Sequence, residues 1–155
     1  MNMFNINKYD VIYCDIDNTI ITGWFEDFLD WTWNKFKSKK LFDFLANMQI
    51  KFKLYKENEK FLQLLSGTQA PIIFLTARSK HRATRGLLID IMYKYVDLTQ
   101  IELHELASDN PAADKWWFIS DVNCDRDAAL FDDNPATRYY CCQIDNVDVF
   151  DARYI

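Results

Sequence analysis

Apolar positions along the chain fall into runs and repeats that predict strands alternating with helices. Val11-Ile12-Tyr13-Cys14, Ala70 to Leu75 and Ala128 to Phe131 are nearly unbroken apolar runs, the pattern of strands buried on both faces. Ile101 to Leu106 instead alternates apolar with polar residues, which predicts a strand with one wet face at a sheet edge, and Val147 to Phe150 predicts a last strand. Helical spacing fills the gaps. Phe25, Phe28, Leu29, Trp33 and Phe36 form one apolar face, a lysine-rich break from Lys35 to Lys40 ends it, and Leu41, Leu45, Met48, Phe52 and Tyr55 repeat the pattern. Phe61, Leu62, Leu64 and Leu65 extend it to Ser66-Gly67, with Gly67 as the expected C-cap. This aromatic stripe reads mostly as core. Ser79 is the expected cap of a helix that buries Leu87, Leu88, Ile91, Met92 and Tyr95. Asn110-Pro111 predicts the start of a helix carrying Lys115, and Pro135 opens another.

Together these elements predict an α/β fold: a doubly wound, Rossmann-like parallel sheet flanked by helices. Residues 1–155 read as one domain, with approximately 24–66 forming a helical insert, at most a small cap, after the first strand.

Composition narrows the class. Half of the residues are hydrophobic, enough for one filled core, and only three Gly and three Pro argue against a low-complexity segment. No apolar run is long enough to cross a bilayer, so no membrane partner is expected. Met1 to Asp10 is polar and lacks the layout of a secretory signal. Cys14, Cys124, Cys141 and Cys142 have no paired metal-ligand spacing, which suits reduced thiols in a cytoplasmic protein. A net charge of −5 argues against a general nucleic-acid binder.

Candidate chemistry lies where strands end. Asp15-Ile16-Asp17-Asn18-Thr19 follows the first strand and delivers two carboxylates to its C-terminal end, where open α/β sheets bind ligands. Such a pair repels itself unless a cation or a shared proton compensates, so it suggests a divalent metal. A lone Asp-x-Asp is as readily a solvated turn. Here Thr76 follows the second strand, Lys115 sits near a helix start, and Asp132-Asp133 follows a later strand.

These four features, in this order across the whole chain, resemble the motifs of phosphatases of the haloacid dehalogenase superfamily. The resemblance implies a magnesium-dependent hydrolase of phosphate monoesters. Asp15 would be the nucleophile that becomes an aspartyl-phosphate, and Asp17 the acid and base. Thr76 and Lys115 would hold and neutralise the phosphoryl group. Asp15, the backbone carbonyl of Asp17 and Asp133 look like direct magnesium ligands, with Asp132 acting through a water; the order of Asp132 and Asp133 stays open. Asn18 stands where many relatives have Gly, and Asn tolerates the left-handed backbone. A strand-end nuclease or glycosyltransferase would leave Thr19, Thr76 and Lys115 unexplained.

Charge patterning bears on the substrate. Seven lysines face one acid, Asp43, between Lys35 and Lys56, and Arg78, Lys80, His81, Arg82 and Arg85 follow Thr76. Thr76-Ala77-Arg78 also resembles the corresponding segment of polynucleotide 3′-phosphatases and nucleotidase-like members. These residues, Ala77, Arg78 and Arg82 among them, predict a basic rim for a nucleotide or nucleic-acid end. The alternatives are a phosphatase of a small sugar or metabolite phosphate, with the basic face solvated, and a catalytically silent metal- or phosphate-binding module.

Overall fold

The computed structural model describes residues 4–155, so Met1 to Met3 of the polar N-terminal stretch lie outside the described residues. Five parallel strands form the central sheet: β1 (Val11–Cys14), β4 (Ile72–Thr76), β5 (Ile101–Glu105), β6 (Ala128–Phe131) and β7 (Val147–Phe150). Their order is β5-β4-β1-β6-β7. The chain winds outward from β1 through β4 to β5, then returns to the other side of β1 for β6 and β7. The switch point lies between β1 and β6, where a crevice opens beyond the carboxyl ends of the strands.

Strand pleating sends alternate residues of β1 to opposite faces. Ile12 and Cys14 join a core with Ile72, Phe74, Ala129 and Phe131, covered by α3 (Glu59–Leu65) and α4 (Arg82–Met92) through Leu62, Leu65, Leu87 and Leu88. Val11 and Tyr13 join the opposite core with Ile73, Leu75 and Leu130, covered by α5 (Pro111–Val122) and α6 (Pro135–Cys141) through Ile119 and Cys141. This is the expected doubly wound α/β sheet. As expected, β5 lies at an edge, Asn110-Pro111 starts α5 and Pro135 opens α6; Asn134 caps α6 as Asn110 caps α5.

The insert is narrower than its expected 24–66. Two short strands, β2 (Ile21–Thr22) and β3 (Lys56–Glu57), pair antiparallel and close its neck. Above them stand α1 (Trp24–Phe36) and α2 (Lys39–Lys51), with a small core of Phe25, Leu29 and Ala46. The Phe61–Leu65 tract belongs to the sheet instead, because Leu62 and Leu65 pack on β-strand residues. Gly23 enters α1 at φ 124°, a conformation that L side chains rarely adopt.

Three local expectations fail for physical reasons. Gly67 does not end a helix in the left-handed region; α3 closes on Ser66, still right-handed. His81, not Ser79, caps α4, its Nδ1 accepting the Ala83 N–H at 3.0 Å. The serine is drawn instead to Asp43 of α2. Part of the aromatic stripe is not core either: Phe28, Phe36 and Phe52 are exposed, as are the neighbouring Trp24, Trp31 and Phe44, because a two-helix cap has too little interior to hold them.

The contrast between sheet and cap is testable by urea unfolding. Phe74→Ala, in the centre of the sheet, should cost about 3–5 kcal/mol. Trp31→Ala, on the cap surface, should stay within about 0.5 kcal/mol of the parent.

Candidate functional site

Four of the residues singled out in the sequence meet at the switch point. The Asp15 N–H donates to the Phe131 carbonyl at 2.9 Å, tying the end of β1 to the end of β6. Asp132 and Asp133 follow β6 directly. Lys115, one turn into α5, reaches between the strands and is almost wholly buried. Its ammonium donates to Asp15 Oδ1 at 2.7 Å and to Asp132 Oδ2 at 2.6 Å. Asp132 Oδ1 accepts the Asn134 N–H at 2.9 Å, so both of its oxygens are engaged within the protein.

One ligand atom from each of Asp15, Asp132 and Asp133 lies within 4.8 Å of the others. Burial pushes the Asp15 carboxyl well above the usual carboxylate range, Lys115 opposes this, and Asp132 adds to it. Burial, then the Asp132 and Asp30 carboxylates, pushes Asp133 up to about 7. Burial works against the Lys115 charge, but Asp132 and Asp15 outweigh it and raise its pKa.

Asp17 sits on the turn after β1, shaped by Asn18 at φ 54°, the left-handed conformation that Asn tolerates. Its partner is Arg78, whose Nε lies 3.1 Å from both carboxylate oxygens and whose Nη2 also donates to Oδ1. Burial would raise the Asp17 pKa, but the guanidinium outweighs it and holds the carboxyl below its usual range. Behind this pair, Glu26 of α1 is buried, its Oε1 accepting from the Gln49 amide nitrogen. Burial and then the Asp17 charge push its pKa up to about 9, so it carries a proton at neutral pH.

Charge balance tests what else fits. Asp15, Asp17, Asp132 and Asp133 are four carboxylates facing two cations, Lys115 and Arg78. A hard divalent cation with oxygen ligands suits both that deficit and the donor set. Asp15 Oδ2 and the Asp133 carboxylate have no cationic hydrogen-bond partner among the described residues, whereas the Asp132 carboxylate is already held by Lys115 and Asn134.

A cleft of about 410 Å³ opens above these groups. Its cap wall is Asp30, Trp33, Asn34, Lys39 and Phe42; its sheet wall includes Ala77, Ser108, Pro111 and Asn134. The N-terminus of α5 therefore reaches the rim, where the helix dipole favours an anion. Thr76 ends β4 beside β1 but is fully buried and does not line the cleft; its hydroxyl accepts the Arg78 N–H at 3.2 Å. Thr19 is buried too, and its carbonyl accepts from Asn58 Nδ2 at 3.0 Å, binding the motif turn to the start of α3.

The expected basic rim does not assemble. Arg78 is buried beneath the cap, Arg82 is exposed on α4 and does not line the cleft, and Lys39 alone of the Lys35–Lys56 lysines does. Lys39 is itself engaged, donating to the Ala77 carbonyl at 2.6 Å and pairing with Asp43 at 3.1 Å. Lys35, Lys37 and Lys51 lie over the rings of Trp31, Trp33 and Phe52. Sequence reasoning missed Glu26, Gln49, Ser108 and the cap wall. One signal was available: Glu26 lies three residues from Leu29 and seven from Trp33, a carboxylate on the apolar side of a helix.

Compared with protein-family models, with curated proteins and with solved structures, the chain matches none. The site's chemistry has to be read from its own side chains.

Lys115→Ala should destabilise the fold by about 3–5 kcal/mol, because it leaves two buried carboxylates without their cation. Urea unfolding in the presence of a chelator measures this; a change below about 1 kcal/mol would mean that the ammonium does not hold the site together.

Proposed function

We propose that the chain is a magnesium-dependent phosphatase of the haloacid dehalogenase type, hydrolysing a phosphate monoester through an aspartyl-phosphate on Asp15. One observation carries the reading: Lys115 joins Asp15 to Asp132 at the switch point, with Asp133 beside them and Asp17 two residues beyond. A free-standing pair of acids would be a solvated turn. A buried set spanning two strand ends and a helix is costly to fold, which argues for use.

In the proposed reaction Asp15 attacks phosphorus through a carboxylate oxygen. The bond from phosphorus to the leaving oxygen breaks in line, and Asp17 supplies the proton that this oxygen needs. Arrival of a phosphate dianion raises the proton affinity of Asp17, offsetting the effect of Arg78. Water then attacks the aspartyl-phosphate, gives its proton to Asp17 and releases inorganic phosphate and the Asp15 carboxylate. Lys115 stabilises negative charge at Asp15 throughout. Asp15, Asp133 and the Asp17 carbonyl would hold magnesium, with Asp132 behind them, and the ion supplies charge compensation for the phosphoryl oxygens.

For the substrate, the cap wall favours a nucleotide: Trp33 and Phe42 offer flat apolar surface, and Asn34 offers an amide for hydrogen bonds. Loss of the continuous basic rim removes the main support for a long nucleic-acid end. That same loss favours the second reading, a small sugar or metabolite phosphate.

Asp15→Asn should lower kcat by at least about 10⁴-fold on an aryl phosphate, since nucleophile and metal ligand go together. Near-normal turnover would refute the covalent route. A comparison of a nucleoside monophosphate, a 3′-phosphorylated oligonucleotide and a sugar phosphate, each with and without magnesium, separates the substrate readings. Magnesium should also raise the thermal midpoint, by about 2.7 kcal/mol of stability at one hundred times its Kd, and Asp133→Asn should lose most of that rise. An undiminished rise in Asp133→Asn would place the ion elsewhere.

A further inference from the structure

The polar contacts that α2 makes with the sheet fall on one face of the helix. Lys39, Asp43, Ala46 and Gln49 succeed one another at three- and four-residue steps, the repeat of a single helix face. Every one of them meets the stretch Ala77-Arg78-Ser79 that follows β4. Lys39 Nζ donates to the Ala77 carbonyl at 2.6 Å, and Asp43 accepts from the Ser79 N–H at 3.2 Å and its hydroxyl at 2.5 Å. The Ala46 carbonyl accepts from Arg78 Nη1 at 3.2 Å, and Gln49 Oε1 accepts from Arg78 Nη2 at 2.7 Å. The Gln49 amide nitrogen then donates to Glu26, which links α1 to the same network.

Arg78 is 2% exposed. Burying a guanidinium is costly unless its donors are met, and an apolar contact would dock a helix at lower cost. The guanidinium is also planar, with donors in a fixed fork. Once Ala46 and Gln49 hold Nη1 and Nη2, the remaining edge has one orientation left, and it faces Asp17. The cap therefore fixes the arginine, and the arginine fixes the acid.

We propose that Gln49 and Glu26, two buried cap residues, are positioning residues for Asp17, acting through Arg78. Proton transfer to the leaving group is then competent only while α2 is docked on the Ala77–Ser79 stretch. The inference rests on the phosphatase reading above. It assigns the cap a part in the chemistry in addition to covering the cleft.

Leaving-group dependence tests it, because a merely structural residue has no reason to care which alcohol departs. A nitrophenolate leaves without a proton, whereas an alkoxide needs one. Gln49→Leu should lower kcat on an alkyl phosphate by about 10²-fold, the usual worth of a positioned general acid, and on a nitrophenyl phosphate by less than about threefold. KM should change little. Glu26→Leu should show the same selectivity, and Gln49→Met carries the comparison if Gln49→Leu does not fold. In the double variant Asp17→Asn/Gln49→Leu, the second change should cost nothing further on the alkyl phosphate, since the group it positions is already disabled. Equal losses on both esters, no loss, or additive losses in the double variant would overturn the positioning role and leave the phosphatase reading intact. A parent protein that turns over neither ester would overturn that reading, and this inference with it.

Discussion

A buried ammonium held between two carboxylates is the interaction on which the rest of the arrangement depends. Lys115 comes from α5, Asp15 from the end of β1 and Asp132 from the end of β6, so one side chain joins three elements. Each group alone would be very costly to bury. Together they are tolerable, and the geometry that makes them so also fixes the functional arrangement, because the ammonium orients both carboxylates. The sheet topology supplies the setting. Only at the switch point do adjacent parallel strands send their following helices apart, leaving room for side chains to converge.

The cap obeys a different rule. Its apolar core is small, and many of its aromatic residues stay exposed. What secures it is a polar seam along one face of α2, ending on Arg78. A polar seam is specific in register, since a slip of one residue would leave a buried charge unmet, and it contributes less net stability than an apolar seam of the same area. A cap built in this way is precisely placed without being strongly held. That would suit an element that admits and releases a ligand in the proposed reaction.

Much of the fold was legible from the sequence, because the strands of the sheet are buried and announce themselves as apolar runs. Val11 to Cys14, Ala70 to Leu75 and Ala128 to Phe131 were read from that pattern, and they lie side by side in the sheet. The convergence of Asp15, Asp132 and Asp133 was legible for the same reason, since residues just beyond buried parallel strands share one edge; Lys115, on α5, was pointed to by the resemblance instead. Sequence reasoning failed where partners come from separate elements. A run of cations from Arg78 to Arg85 reads as a basic surface, and nothing in the local pattern says that Arg78 turns inward to Asp17 while Arg82 stays in solvent. Ser79 had the right chemistry for a helix cap, but Asp43, thirty-six residues earlier, competes for it. Exposure of the cap aromatics was hidden for another reason, since periodicity reports a face without reporting how much interior lies behind it.

The two ends of the cleft are charged in opposite senses of purpose. At the end of the proposed metal site, the Asp133 carboxylate and one oxygen of Asp15 have no cationic hydrogen-bond partner among the described residues, an arrangement that suits a cation. At the cap end, Arg78 meets Asp17 and Lys39 meets Asp43, so each cation is already matched. A substrate phosphate therefore finds little free positive charge in the cleft beyond Lys115 and the α5 dipole. Attraction of an anion has to come through the bound cation itself. This makes the metal a condition of substrate binding as well as of chemistry in the proposed reaction, and it explains why the basic residues nearby can be spent on holding the cap. In that reading the cap wall, with Trp33 and Phe42, is left with selection by shape.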